Sequence, residues 1–200
     1  MNIDKIMGNN LNVGVVYFKI FSLDGAEISE IKKEVLEYAK GKYGENYLLS
    51  AYCWEQLLLE YKKLNEKEFE VNFFKGVVSA LKKQGASISH SKRFGAIAFT
   101  KNCGEFVPVG IDIECVRPNI NEKLKEFLGA KGCNDEHFYT LWTKYESTFK
   151  ALGEIPLNSE LARGERYVKA FKGESFIKTI NGEKVAISIY SNGQKTEEIL

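Results

Sequence analysis

The chain has 200 residues, of which 44% are hydrophobic and 28% charged, with only three prolines, a composition that excludes a disordered or low-complexity chain. At this length roughly 70% of the surface exposed by the unfolded chain is buried on folding, so a sizeable hydrophobic core is expected. Its 28 basic and 27 acidic residues leave a net charge of +1, which excludes a global field for nucleic acid and confines any anion site to local clustering.

Val13 to Ile20 is a β-branched and aromatic run that predicts a strand, followed by a turn at Asp24-Gly25 and a helix entered near Ser29. From Glu45 to Lys63 a stretch without glycine or proline carries Leu48, Leu49, Tyr52, Leu57, Leu59 and Tyr61 and predicts a second helix over a sheet. Phe94 to Thr100 and Val107 to Glu114 read as strands on either side of a KNCGE turn, an arrangement that predicts a hairpin. Asn134 is placed to cap a helix whose first turn holds Asp135 and Glu136, with Phe138, Leu141, Trp142, Tyr145, Phe149 and Leu152 at helical spacing. After Gly153 and Pro156, three runs at 166–171, 175–180 and 183–190, separated by Lys172-Gly173 and Asn181-Gly182, predict a closing antiparallel meander.

Cys53, Cys103, Cys115 and Cys133 are too widely spaced for a CxxC motif, and a chain of this length needs no disulfide staples. Free thiols in a reducing cytoplasm are the expectation. The opening residues show no apolar signal core behind a basic start, and no run reaches about eighteen apolar residues, so neither export nor a membrane span is expected.

Three constellations carry candidate chemistry. In Gly110-Ile111-Asp112-Ile113-Glu114, strand alternation puts both carboxylates on one face, roughly 7 Å apart at the backbone, where their oxygens are able to converge on a hard cation at about 2.0–2.1 Å. A strand with its acidic face in water gives the same pattern. In the segment Trp142 to Lys150, Glu146 and Lys150 lie one turn apart on one helix face, as they also do in an ordinary exposed ion pair. Residues 71–104 contain Lys75, Lys82, Lys83, Lys92, Arg93 and Lys101 and no acidic residue. Within that cationic stretch, Ile88-Ser89-His90-Ser91 offers hydroxyls, turn amides and an imidazole to a phosphate, or forms a loop kept soluble by its lysines. The P-loop, Rossmann, nucleophile-elbow and HExxH patterns are all missing, and two histidines are too few for a histidine-built zinc site.

Taken in order, ISHS at 88–91, VGIDIE at 109–114 and WTKYESTFK at 142–150 resemble the three signature blocks of the 4′-phosphopantetheinyl transferase superfamily, in its surfactin-synthetase-activating branch. The resemblance implies two similar α+β lobes related by a pseudo-twofold, 1–101 and 102–200, with the cofactor cleft between them and the ISHS and Asp-x-Glu blocks on opposite sides of it. It implies that Asp112, Glu114 and Glu146 hold magnesium, that Lys75, Ser89, His90 and Lys150 contact the phosphates of coenzyme A, and that Glu146 deprotonates the attacking serine. Trp142 would anchor the helix. The implied partner is an acyl or peptidyl carrier protein, served by a cytoplasmic monomer with no nucleic acid or membrane partner.

The chain departs from the family pattern at four places. Tyr145 stands where the family has lysine before the helical glutamate, and Lys144, about 200° away from Glu146 around the helix, does not replace it. No arginine precedes Arg93 to take the 3′-phosphate. The loops Phe74-Lys75-Gly76 and Gly153-Glu154-Ile155 differ from the family's Gly-Lys-Pro and Gly-x-Gly. These departures make a coenzyme A-binding paralogue with little transfer the alternative, and a magnesium-dependent phosphoesterase is a third reading of the same carboxylates.

Overall fold

The computed structural model describes residues 15–24, 31–43, 47–65, 85–100, 108–152 and 171–199. Several expectations fall outside them: residues 13–14 of the first strand, Gly25, the helix entry near Ser29, Lys75 and its loop, Lys82, Lys83, Lys101, Cys103, the lobe boundary near residue 101, the loop at Gly153 to Pro156, and the run at 166–170.

In chain order the elements are β1 (Val15–Ser22), α1 (Lys33–Tyr43), α2 (Tyr47–Asn65), β2 (Ala86–Ser91), β3 (Phe94–Thr100), β4 (Gly110–Cys115), α3 (Glu122–Phe127), α4 (Asp135–Leu152), β5 (Gly173–Ile180), β6 (Glu183–Tyr190) and β7 (Lys195–Glu198). They form a mixed α+β fold with two sheets, ordered β2-β3-β1-β7 and β4-β6-β5. Strand alternation builds the layers. Ile97 and Phe99 face Trp54, Leu57 and Tyr61 of α2, while Val16, Phe18, Phe94, Ala96 and Ala98 face Ile111, Ile113, Val185, Ile187 and Ile189 of the second sheet. Phe138 and Tyr139 of α4, with Leu128, pack on Ala186 at the second sheet's other face. Among the described residues, no helix is long and apolar enough to cross a membrane, and Cys53, Cys115 and Cys133 are free thiols.

Four expectations change. The runs at 94–100 and 107–114 do not pair: β3 is hydrogen-bonded on both sides, to β1 and β2, and β4 pairs with β6. A tight connection at Lys92-Arg93, with Lys92 at φ 51°, closes β2 onto β3, and short loops close at the lowest entropic cost. Ile88 to Ser91 is therefore strand, and its backbone is committed to the ladder with β3 instead of forming a phosphate-gripping turn. Lys195–Glu198, too short and charged to be read as a strand, pairs in parallel with β1. Finally, α4 turns Thr143, Ser147, Thr148 and Ala151 inward along with Phe138 and Tyr139, leaving Leu152 45% exposed.

The Asn134 cap and the Asn181-Gly182 turn hold, whereas Gly173, expected in a turn with Lys172, is the first residue of β5 and pairs with Tyr190. Asn134 Oδ1 accepts from the His137 amide at 2.8 Å. Asn181 and Gly182 both have positive φ, 50° and 79°, the geometry of a type I′ turn between paired strands.

Candidate functional site

The site begins with a close approach. Gly110 opens β4 where α4 crosses it, and a Cβ there would lie 1.8 Å from the Ser147 carbonyl oxygen. Hydroxyls replace bulk elsewhere along the contact, as in the Thr143 to Ser188 hydrogen bond of 2.7 Å. The helix thus sits close enough on the sheet for its side chains to reach β4. Alternation along β4 buries Ile111 and Ile113 between the sheets and turns Asp112 and Glu114 to the opposite face. Lys150 Nζ donates to Asp112 Oδ1 at 2.7 Å, Ser89 Oγ at 2.9 Å and the Ile111 carbonyl at 3.2 Å, which uses all three ammonium donors.

The edge strands β2 and β4 lie side by side in parallel register, bridged by side chains. Ser87, Ser89 and Ser91 accept from the amides of Ile111, Ile113 and Cys115 at 3.1, 3.4 and 3.1 Å. Ser89 also donates to Asp112 Oδ1 at 2.8 Å, and Ser91 donates to Glu114 Oε2 at 2.7 Å. The Ser89 hydroxyl is fully used, so a phosphate contact through it would have to displace one of these partners.

Asp112, Glu114, Glu146 and Lys150 line one cavity of about 340 Å³ together with Ser89 and His90, and Ile88, Trp142 and Ser50 complete its wall. Ser50, reaching from α2, lies 3.1 Å from His90 Nε2. Burial holds the His90 imidazole below its ordinary proton affinity; Lys150 pushes the same way and Asp112 opposes it. The carboxylates shift in the other direction. Burial raises Glu114, against the Ser91 hydrogen bond and with the charge of Asp112, and burial raises Glu146, helped by Asp112 and Glu114 and opposed by Lys150. Three carboxylates thus share the cavity with one ammonium, and the charge of Asp112 contributes to the rise of both glutamates.

Each constellation resolves into a particular arrangement. Asp112, only 4% exposed, is not on a solvated acidic face, and Lys150 pairs with Asp112 across the fold instead of forming an ordinary surface pair with Glu146. Lys92 and Arg93 reach Glu183, and Arg93 also reaches Asp24, so among the described residues these two cations of the basic stretch are committed to acids away from the cavity. Trp142 is half-buried and stacked on Phe138, with ring centroids 6.1 Å apart. Tyr145 packs edge-on against Phe127 at 5.6 Å, and Lys144 lies over the Phe171 ring, facing away from Glu146 as the helix spacing requires. Sequence reasoning missed Ser50, the one serine of α2. It also missed the joint role of Ser87, Ser89 and Ser91, although their alternate spacing was in plain view.

The donor set suits a hard divalent cation. It is all oxygen, and the buried Asp112 Oδ2 has no hydrogen-bond partner. Among the described residues no three acidic, histidine or cysteine side chains converge closely enough to hold a metal as they stand. Compared with known proteins, the chain matches no protein-family model and no curated protein.

Proposed function

We propose that this chain is a 4′-phosphopantetheinyl transferase, which moves the phosphopantetheine arm of coenzyme A onto a serine of an acyl or peptidyl carrier protein with magnesium as cofactor. One observation carries the reading: all three sequence blocks meet at one cavity, with Ser89 and Lys150, 61 positions apart in the chain, in direct hydrogen bond. The cavity lies at the small end of the roughly 300–1,000 Å³ typical of ligand pockets, a size suited to the diphosphate end of the cofactor.

Asp112, Glu114 and Glu146 would hold the magnesium, which when bound neutralises diphosphate charge and supplies Lewis acidity. Lys150 exchanges its bonds to the strands for a phosphate oxygen, and His90, its Nε2 taken by Ser50, keeps Nδ1 for an anion. Glu146, with its proton affinity raised, accepts the proton of the carrier serine, directly or through a water. The serine oxygen then bonds to the β-phosphorus as the bond from that phosphorus to the bridging oxygen breaks, and adenosine 3′,5′-bisphosphate leaves with the electron pair. Such a step depends on positioning and charge neutralisation, the two things this cavity offers.

The test is intact-mass spectrometry of apo carrier proteins incubated with this protein, coenzyme A and magnesium, beside a Glu146→Gln control. A phosphopantetheine adduct that the control loses is the expected result. Coenzyme A binding without an adduct on any carrier would overturn transfer in favour of a cofactor-binding paralogue, the reading that Tyr145 and the missing early arginine support. Free phosphopantetheine without an adduct would point to a phosphoesterase.

A further inference from the structure

The seam between β2 and β4 repeats one unit. The hydroxyl of a β2 serine accepts the amide 24 positions ahead and, at two of three steps, donates to the carboxylate 23 positions ahead. At the third step the residue 23 ahead of Ser87 is Gly110, which has no side chain to hold. Joining two strand edges needs only the acceptor half of this unit. The donor half is additional, and it falls on Asp112 and Glu114. At Asp112 it has a definite outcome: Ser89 and Lys150 hold Oδ1, while Oδ2 stays buried with no partner.

We propose that Ser89 and Ser91 are positioning residues which set the rotation of the two β4 carboxylates so that their remaining oxygens are presented to a hard divalent cation, while Ser87 serves the seam alone. The inference rests on the cation site of the proposed function. All three serines are buried, at 5–7% exposure, so their hydroxyls have little competition from water. Partners that orient a ligand side chain typically carry 10–100-fold in metal affinity, and Ser91 is the cleaner of the two to test because Ser89 also touches Lys150.

Ser87 and Ser91 make the same 3.1 Å backbone bond, so the variants Ser87→Ala and Ser91→Ala damage the seam alike and differ in the carboxylate. Each would be titrated with Mn²⁺ in equimolar coenzyme A, with free ion counted by electron paramagnetic resonance. Ser91→Ala is expected to bind Mn²⁺ about 10–100-fold more weakly than wild type, with Ser87→Ala unchanged. Equal affinities for the two variants, both weakened or both intact, overturn the proposal. Should Ser91→Ala not fold, Ser91→Cys under reducing conditions leaves no void and loses the strong donor; it is expected to shift the same way, and wild-type affinity in it overturns the proposal equally. A wild-type protein that leaves the Mn²⁺ signal of coenzyme A alone unaltered would remove the cation site itself, and the inference with it.

Discussion

Replacing Gly110 with alanine tests whether α4 depends on one missing methyl group. The added Cβ would stand 1.8 Å from the Ser147 carbonyl oxygen and 2.9 Å from the Ala151 amide nitrogen, against about 3.4 Å for ordinary contact. Both are backbone atoms of a helix, so no side-chain rotation relieves the clash. The helix must withdraw by more than about 1 Å, and overpacking of this kind costs about 1–3 kcal/mol, with about 2–4 °C in Tm for each kcal/mol in a chain of this size. Glu146 and Lys150 flank Ser147 and withdraw with it, lengthening the 2.7 Å pair between Lys150 and Asp112. A displacement of that size costs on the order of 100-fold in rate. Denaturant unfolding and the carrier-protein mass assay measure the two effects, with Gly41→Ala as the contrast. Gly41 is exposed in α1 with nothing within 4 Å of its missing Cβ, so the same substitution there stabilises by about 0.5–1 kcal/mol. Gly110→Ala with wild-type stability and turnover would refute the close approach.

Glu146→Gln is expected to melt above wild type at neutral pH without divalent cation. A carboxyl raised above its ordinary value of 4.5 contributes stability that is full below that value and lost as pH rises through the raised one, so the difference should close as melts are taken from about pH 8 down to pH 5, and a constant gap would contradict it. Ser50→Ala removes the hydroxyl 3.1 Å from His90 Nε2 and is expected to cost about 1 kcal/mol in unfolding experiments and to weaken coenzyme A binding, read by isothermal titration calorimetry. Unaltered binding would remove His90 from the anion site.

The site was more legible in the sequence than the topology that builds it. Asp112 and Glu114 share a face because strands have a period of two, and Glu146 and Lys150 share one because helices have a period near 3.6, so both pairs follow from local spacing. The Asn134 cap and the Asn181-Gly182 turn were legible for the same reason. Strand partnership depends on which edges are already taken. β3 read as half of a hairpin with β4 because the two are neighbours in sequence, whereas its own small residues, Gly95, Ala96 and Ala98, fit it between two other strands, every residue buried. β7 was invisible because its partner β1 lies at the other end of the chain. Part of the expected α4 stripe does pack inward, with Phe138 buried and Leu141, Trp142 and Tyr145 against it, but Thr143, Ser147, Thr148 and Ala151 went unread because hydroxyl and alanine positions, which permit close approach, look polar or neutral next to the aromatic residues.

The serine seam ties these two levels together. Backbone-paired strands run about 4.7–4.9 Å apart, and a side-chain hydroxyl interposed between two edges holds them farther apart while still satisfying the amides of Ile111, Ile113 and Cys115. Register across such a seam is set by side chains alone. A slip of one residue would turn Ser87, Ser89 and Ser91 away from β4 and present Ile88 and His90 in their place. Three amides would lose their acceptors, and Asp112 and Glu114 would lose the hydroxyls that hold them. The interaction that closes two sheet edges is therefore the same one that orients the carboxylates, so a register error that the fold could absorb elsewhere would here dismantle the candidate site.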